Sequence, residues 1–122
     1  MKRKHHELLA WQEGIVLVKE AYRLSASFPR EEIYGLTSQL RRAAVSVPSN
    51  IAEGAARNGD REFIQFLSIA RGSLSELETQ AVIARELGYF KKGDEEVLLV
   101  VIDRIFGLIG GLINAIKERN VK

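Results

Sequence analysis

Lys2, Arg3 and Lys4 form the densest basic run of the chain, and basic pairs follow at Arg41–Arg42 and Lys91–Lys92. Cationic side chains in such runs neutralise phosphates and displace counterions from nucleic acid. The overall charge gives that chemistry modest support. Eighteen Lys and Arg stand against sixteen Asp and Glu, a formal net charge of +2, short of the strongly basic balance that marks a nucleic-acid-binding surface. The surplus is local: residues 1–57 hold nine basic and six acidic groups, net +3, while residues 58–122 hold nine and ten, net −1. The candidate phosphate contacts are Lys2, Arg3, Lys4, Lys19, Arg23, Arg41, Arg42, Arg57 and Arg61.

A second set of residues is polar and periodic. Arg42, Ser46, Asn50, Glu53 and Arg57 recur at spacings of 4, 4, 3 and 4, and Ser73, Glu76 and Gln80 at 3 and 4. Glu53 and Arg57 stand an i,i+4 step apart, the geometry of a helical ion pair. Catalytic chemistry lacks its usual company. There is no cysteine, which removes thiolate nucleophiles, disulfides and cysteine metal sites. The two histidines, His5 and His6, are neighbours near the start, and no Glu has a histidine three residues on, as a di-iron bundle requires. No GxxxxGK[ST] phosphate loop occurs. The expectation is a non-enzyme with no metal and no cofactor.

The elements that must carry these residues read as helices. Proline occurs only at positions 29 and 48, and no window alternates with period two. The first segment covers about residues 7–27, with Leu8, Trp11, Ile15, Val18 and Tyr22 as its apolar stripe. The second covers about 31–56, with Ile33, Leu36, Leu40, Ala43, Val47, Ile51 and Gly54 on one face and a bend predicted at Pro48, which lacks an N–H and crowds the Ala44 carbonyl. The third covers about 60–87, where Phe63, Leu67, Ala70, Leu74, Leu77, Ala81 and Ala84 keep a strict 4, 3 alternation up to a Gly88 cap. The fourth covers about 94–119 behind an Asp94 N-cap.

These spacings suit helices crossing at about 20°, and the short connections force antiparallel neighbours. The fold class is all-α: an up-down-up-down four-helix bundle, residues 1–122 as one domain with a basic N-terminal arm at 1–6. In that register Glu76 comes level with Arg41 or Arg42, and both Glu76 and Glu53 can hold arginines in place. The N-terminus lacks the apolar run of a signal peptide, because Gln12, Glu13 and Gly14 interrupt it. With no cysteine as well, a cytoplasmic protein is expected.

The fourth segment is unusually apolar. Residues 97–116 contain thirteen Val, Leu, Ile or Phe, long enough to span a bilayer at about 20 residues. Asp103 and Arg104 oppose insertion by about 2.5–3.5 kcal/mol each, and with Asn114 they favour a buried helix outside the membrane. Two stripes are visible: Leu98, Val101, Ile105, Leu108 and Leu112, and then Leu99, Ile102, Phe106, Ile109, Ile113 and Ile116. One suits the bundle core. The other would be an exposed apolar patch in a monomer, the mark of a partner surface. Leu99, Ile102, Phe106, Ile109 and Ile113 are the interface candidates.

The runs SQLRRAAVSVPSNIAEGAAR (residues 38–57) and EFIQFLSIARGSLSELETQ (residues 62–80) resemble the 23S rRNA intervening-sequence protein family, the four-helix bundle proteins. The WQ of the first helix and the YGL before the second fit as well. The most specific part is Ser46, Pro48, Ser49, Asn50, Ile51, Ala52, Glu53 and Gly54, with Ser73 and Glu76. The resemblance implies a four-helix bundle that assembles into a ring-shaped homopentamer. It implies a relation to the accessory protein of diversity-generating retroelements, which assists a reverse transcriptase and binds nucleic acid through a basic surface. Catalysis is not part of the family picture. Ser46, Pro48, Asn50, Glu53, Ser73 and Glu76 are read as a structural polar motif. The functional expectation is an oligomeric nucleic-acid-binding protein acting on RNA or RNA–DNA intermediates through phosphate contacts, with each weak patch multiplied by the copies in a ring. The alternative is a protein-interaction scaffold or accessory subunit of another protein such as a polymerase.

Overall fold

The computed structural model describes residues 3–121. Among them the order is a 3-10 turn at Lys4–Glu7, α1 Leu9–Ser25, a second 3-10 turn at Arg30–Glu32, α2 Leu36–Ala56, α3 Asp60–Glu86 and α4 Asp94–Val121, with no strand. Each α-helix packs against two others, α1 on α2 and α4, and α3 on α2 and α4, while the diagonal pairs stay apart. That is the square, antiparallel arrangement short loops impose.

The third helix follows the sequence pattern throughout. Phe63, Leu67, Ala70, Leu74, Leu77, Ala81 and Ala84 are all buried. Its end is a Schellman cap: Gly88 takes φ +75°, its N–H reaches the Arg85 carbonyl, and the Tyr89 N–H reaches that of Ala84. The Ser46 and Ser73 hydroxyls meet at 2.7 Å, which fixes the α2–α3 register near the expected level.

The first helix differs. Its core face is Ala10, Gly14, Leu17, Ala21 and Leu24, while Ile15 and Tyr22 are exposed and Trp11 and Val18 half-buried. The buried line is rotated from the bulky stripe by one residue, about 100°. Small residues win the inward face because they let the backbones come close. A Cβ on Gly14 would stand 3.0 Å from the Pro48 Cβ, and one on Gly54 2.7 Å from the Phe66 Cβ. Gly14 and Gly54 thus seat α2 tightly against α1 and α3. The buried Pro48 lies inside an unbroken α2.

The second helix starts later than the sequence suggests. Gly35 leaves helical geometry at φ −115°, ψ −114°, so Ile33 falls outside α2 and is exposed. Glu32 takes over at the helix start. Its carboxylate accepts the Leu36 N–H at 3.1 Å and the Tyr89 hydroxyl at 2.9 Å. These bonds hold its carboxyl below the usual range and push the Tyr89 hydroxyl up. Asp94 is the first residue of α4 and not its cap.

The two apolar stripes of α4 merge. Leu98, Ile102, Ile105, Ile109, Ile113 and Ile116 all face the core, with Val101 beside them. Leu99 and Phe106 flank this line on one side, Leu108 and Leu112 on the other, all half-buried. Three of the five interface candidates, Ile102, Ile109 and Ile113, are therefore packed within the chain's own bundle. The core line runs between the two stripes seen in sequence, and a helix in a square bundle buries an arc wide enough to take from both. No helix among the described residues is long and apolar enough to cross a membrane.

Candidate nucleic-acid interface

Antiparallel packing gathers three distant segments at one end of the bundle: the N-terminal turn, the α2–α3 connection and the last turns of α4. From Arg3 onward the basic N-terminal arm is held in place. His6 Nδ1 accepts the Arg3 N–H at 3.0 Å, and the His6 carbonyl accepts the Gln12 side-chain amide at 2.8 Å. The His5, His6 and Trp11 rings stand 4.4–5.1 Å apart. Burial among them, with the charges of His6 and Arg3, lowers the His5 pKa. Lys2 lies outside the described residues.

Lys4 is carried by this turn to the start of α3, its Nζ 5.4 Å from the centre of the Phe63 ring. A cavity of about 270 Å³ opens there, lined by Lys4, Arg57, Asn58, Gly59, Asp60 and Phe63. Arg57 stacks on Phe66 at 4.9 Å and pairs with Glu53 at 2.7 Å and Glu62 at 3.7 Å. Arg119, from α4, binds both oxygens of Asp60 at 2.6 and 3.1 Å. That bond holds the Asp60 carboxyl below its ordinary range and raises the Arg119 guanidinium. Arg61 and Arg3 are exposed beside them. The opposite end, built from the α1–α2 and α3–α4 connections, carries Glu31, Glu32, Glu86, Asp94, Glu95 and Glu96 against Arg30, Arg85, Lys91 and Lys92.

The remaining candidates scatter. Arg23 pairs with Glu20 at 2.6 Å. Arg41 turns to α1, where it donates to the Ser25 hydroxyl at 2.9 Å and the Tyr22 carbonyl at 3.4 Å and covers the Tyr22 ring at 4.6 Å. It does not meet Glu76, because its position on α2 faces α1 and not α3. Lys19 borders an apolar groove between α1 and α2, about 340 Å³, formed with Trp11, Ile15, Val18, Val45 and Pro48. Arg42 faces a polar groove between α2 and α3, about 350 Å³, formed with Gln39, Ala43, Ser46, Glu76 and Gln80. The sequence motif builds the side of that groove. Asn50 donates to the carbonyl and hydroxyl of Ser46 at 2.8 and 2.9 Å, and Ser46 in turn meets Ser73.

Sequence reasoning missed Arg119. Its signal was available in the topology, since the last turn of the fourth helix must return to the level of residue 60. Gln80 was read as a strip residue, but it is buried, with its side-chain oxygen unpartnered. Among the described residues no group of three His, Cys, Asp or Glu could hold a metal ion.

A family model described as 23S rRNA-intervening sequence protein matches residues 6–111. The match spans most of the chain, and the chain belongs to that family. No curated protein matches it.

Proposed function

We propose that this member of the 23S rRNA-intervening sequence protein family is a non-catalytic, homo-oligomeric RNA-binding protein that holds phosphates at the α2–α3 turn end of each bundle. The observation that carries this reading is the gathering of Arg3, Lys4, Arg57, Arg61, Lys117 and Arg119 on three chain segments at that end, a small cationic surplus over Glu7, Glu53, Asp60, Glu62 and Glu118, while the carboxylates outnumber the cations at the other end. Arg57 and Arg119 are held by Glu53 and Asp60, so they shape the surface. Arg3, Lys4 and Arg61 are the groups offered to phosphate. One copy presents few such groups; a ring presents them several times over, and linked weak contacts bind far more tightly than single ones. Two features support self-association. The α1–α2 groove leaves Ile15 and Val45 exposed, and nothing among the described residues lies within 4 Å of the side-chain positions of Gly107, Gly110 and Gly111 on the outer face of α4, their own helix backbone and chain neighbours aside. Each such glycine costs about 0.8–1 kcal/mol in a helix, which close approach by another copy offsets.

The test is a salt titration of RNA binding. Replacing Arg3, Lys4 and Arg61 together by alanine weakens binding about equally for all sequences, because phosphate contacts carry no base information. The slope of log affinity on log salt becomes shallower by about 0.7 for each single-strand phosphate that the variant no longer neutralises. A wild-type protein with no salt-dependent binding ends this reading. The scaffold reading, favoured by the open apolar groove, then takes its place.

A further inference from the structure

The polar groove between α2 and α3 lies away from the phosphate end and has no part in holding phosphates there. Its walls carry opposite charges that do not meet. Arg42 on α2 and Glu76 on α3 line one cavity of about 350 Å³, yet no ion pair or hydrogen bond engages either side chain among the described residues. The floor holds a second anomaly. Gln80 is 7% exposed, and its Oε1 is buried with no partner. A buried amide left unmatched costs about 1–3 kcal/mol, and a helix facing a core has no structural need of one. Gln39 completes the rim. The Ser46, Asn50 and Ser73 hydrogen bonds hold the wall rigid between Arg42 and the turn.

We infer that this groove binds a guanine base, and in the context of the RNA-binding reading, on which this part rests, an unpaired guanine in a single strand. A carboxylate accepts two parallel hydrogen bonds, and a guanidinium donates two. Guanine alone among the four bases shows two adjacent donors, N1–H and the 2-amino group, next to two adjacent acceptors, O6 and N7. The O6/N7 pair is the commonest specific target of arginine. Glu76 takes the donor edge, Arg42 the acceptor edge, and the amide of Gln80 supplies either sense of hydrogen bond from below. A volume of about 350 Å³ is at the small end of ligand pockets and suits one base. Adenine, cytosine and uracil each leave the carboxylate or the guanidinium half-matched.

The experiment compares wild type with Glu76→Gln, both checked for equal helicity by circular dichroism. Fluorescence anisotropy measures affinity for a short oligo-uridine strand, the same strand with one guanosine, and the same strand with inosine, which lacks the 2-amino group. In parallel, guanosine 5′-monophosphate and uridine 5′-monophosphate are titrated and followed by NMR. The guanosine strand binds roughly 5- to 150-fold more tightly than the uridine strand, the worth of one good bidentate pair. Inosine falls between them, and Glu76→Gln reduces the difference between guanosine and uridine to the share that Arg42 holds through O6 and N7. The monophosphates separate the sources. If RNA is not bound but guanosine monophosphate shifts resonances of the groove in a Glu76-dependent way, the RNA reading fails and the base site stands as a nucleotide site. If all strands bind alike with a normal salt slope, or if the guanosine preference is undiminished in Glu76→Gln, the base site is overturned while the RNA reading stands. If neither strand nor nucleotide binds, both are overturned.

Discussion

Helix α2 walls two grooves of almost equal size and opposite chemistry. Toward α1 it contributes Val45 and Pro48 to an apolar groove of about 340 Å³; toward α3 it contributes Gln39, Arg42 and Ser46 to a polar groove of about 350 Å³. The difference comes from what each neighbour offers. The outer face of α1 presents Trp11, Ile15 and Val18, bulky side chains displaced from the core by the small residues Ala10, Gly14 and Ala21. The facing strip of α3 presents Ser73, Glu76 and Gln80. An apolar groove left open to water is a surface that gains by being covered. A polar groove with unmatched groups gains by hydrogen bonding to what enters it. On the proposed reading one helix carries both an assembly surface and a recognition surface, and neither uses the phosphate end of the bundle.

The comparison breaks most completely if the shared core is removed. Leu74→Ala empties a fully buried site in the bundle core and is expected to lower unfolding free energy in urea by about 2–5 kcal/mol. A drop under about 1 kcal/mol would mean that α2 and α3 do not pack as described.

The seat of the apolar groove gives the next effect. Gly14→Leu pushes on Pro48 and is expected to cost about 1–3 kcal/mol by overpacking. At Gly107 a Cβ meets nothing among the described residues, so the same substitution there does not push on the chain's own core. In a monomer it would stabilise α4, by up to the glycine penalty of about 1 kcal/mol. In an assembly that uses this face it lowers the mass seen by light scattering, so the pair of variants separates packing within the chain from packing between copies.

Ile15→Asp sharpens the contrast between the grooves. Ile15 is 39% exposed, so its replacement leaves the helicity of the single chain intact. The expected outcome is a smaller particle in light scattering. An unchanged oligomer would show that the α1–α2 groove is not the assembly surface.

Changes on the polar side are smaller. Ser73→Ala removes the hydroxyl that meets Ser46 and is expected to cost about 0.5–1.5 kcal/mol. Gln80→Leu removes the unpartnered oxygen and is expected to be neutral or slightly stabilising, measured by thermal unfolding. A clear destabilisation by Gln80→Leu would show that the amide serves the fold.

Acid acts at the ends of the bundle. Glu32 and Asp60 both have depressed carboxyl pKa values, the first through the Leu36 and Tyr89 hydrogen bonds and the second through Arg119. A carboxylate whose pKa is lower when folded stabilises the fold above its unfolded pKa and loses that contribution as pH falls through the folded value. Stability is therefore expected to decline as pH drops below the ordinary Glu value of 4.5. Glu32→Gln should flatten the part of that decline it owns, read from urea midpoints across the acid range.

The amino-acid sequence by itself determined the four helices, their antiparallel order and the apolar inward face of α3, Gln80 excepted. In that helix the large apolar side chains recur at one strict period with no competing stripe, so the buried face has a single solution. It also determined the Gly88 cap and the Glu53–Arg57 pair, because both are local events within one helical turn. Tertiary structure decided the face of α1, where a small-residue line and a bulky line lie one residue apart and only close approach to Pro48 selects the small one. It decided α4, whose two apolar stripes are both partly consumed by an arc of contact set by two neighbouring helices. It decided, too, which arginine looks where: Arg41 and Arg42 are adjacent in sequence, but one residue of helical rotation sends the first to the Tyr22 ring on α1 and the second to the groove with Glu76. Periodicity states that a helix has a face; the direction of that face relative to the others is a property of packing, which no single segment contains.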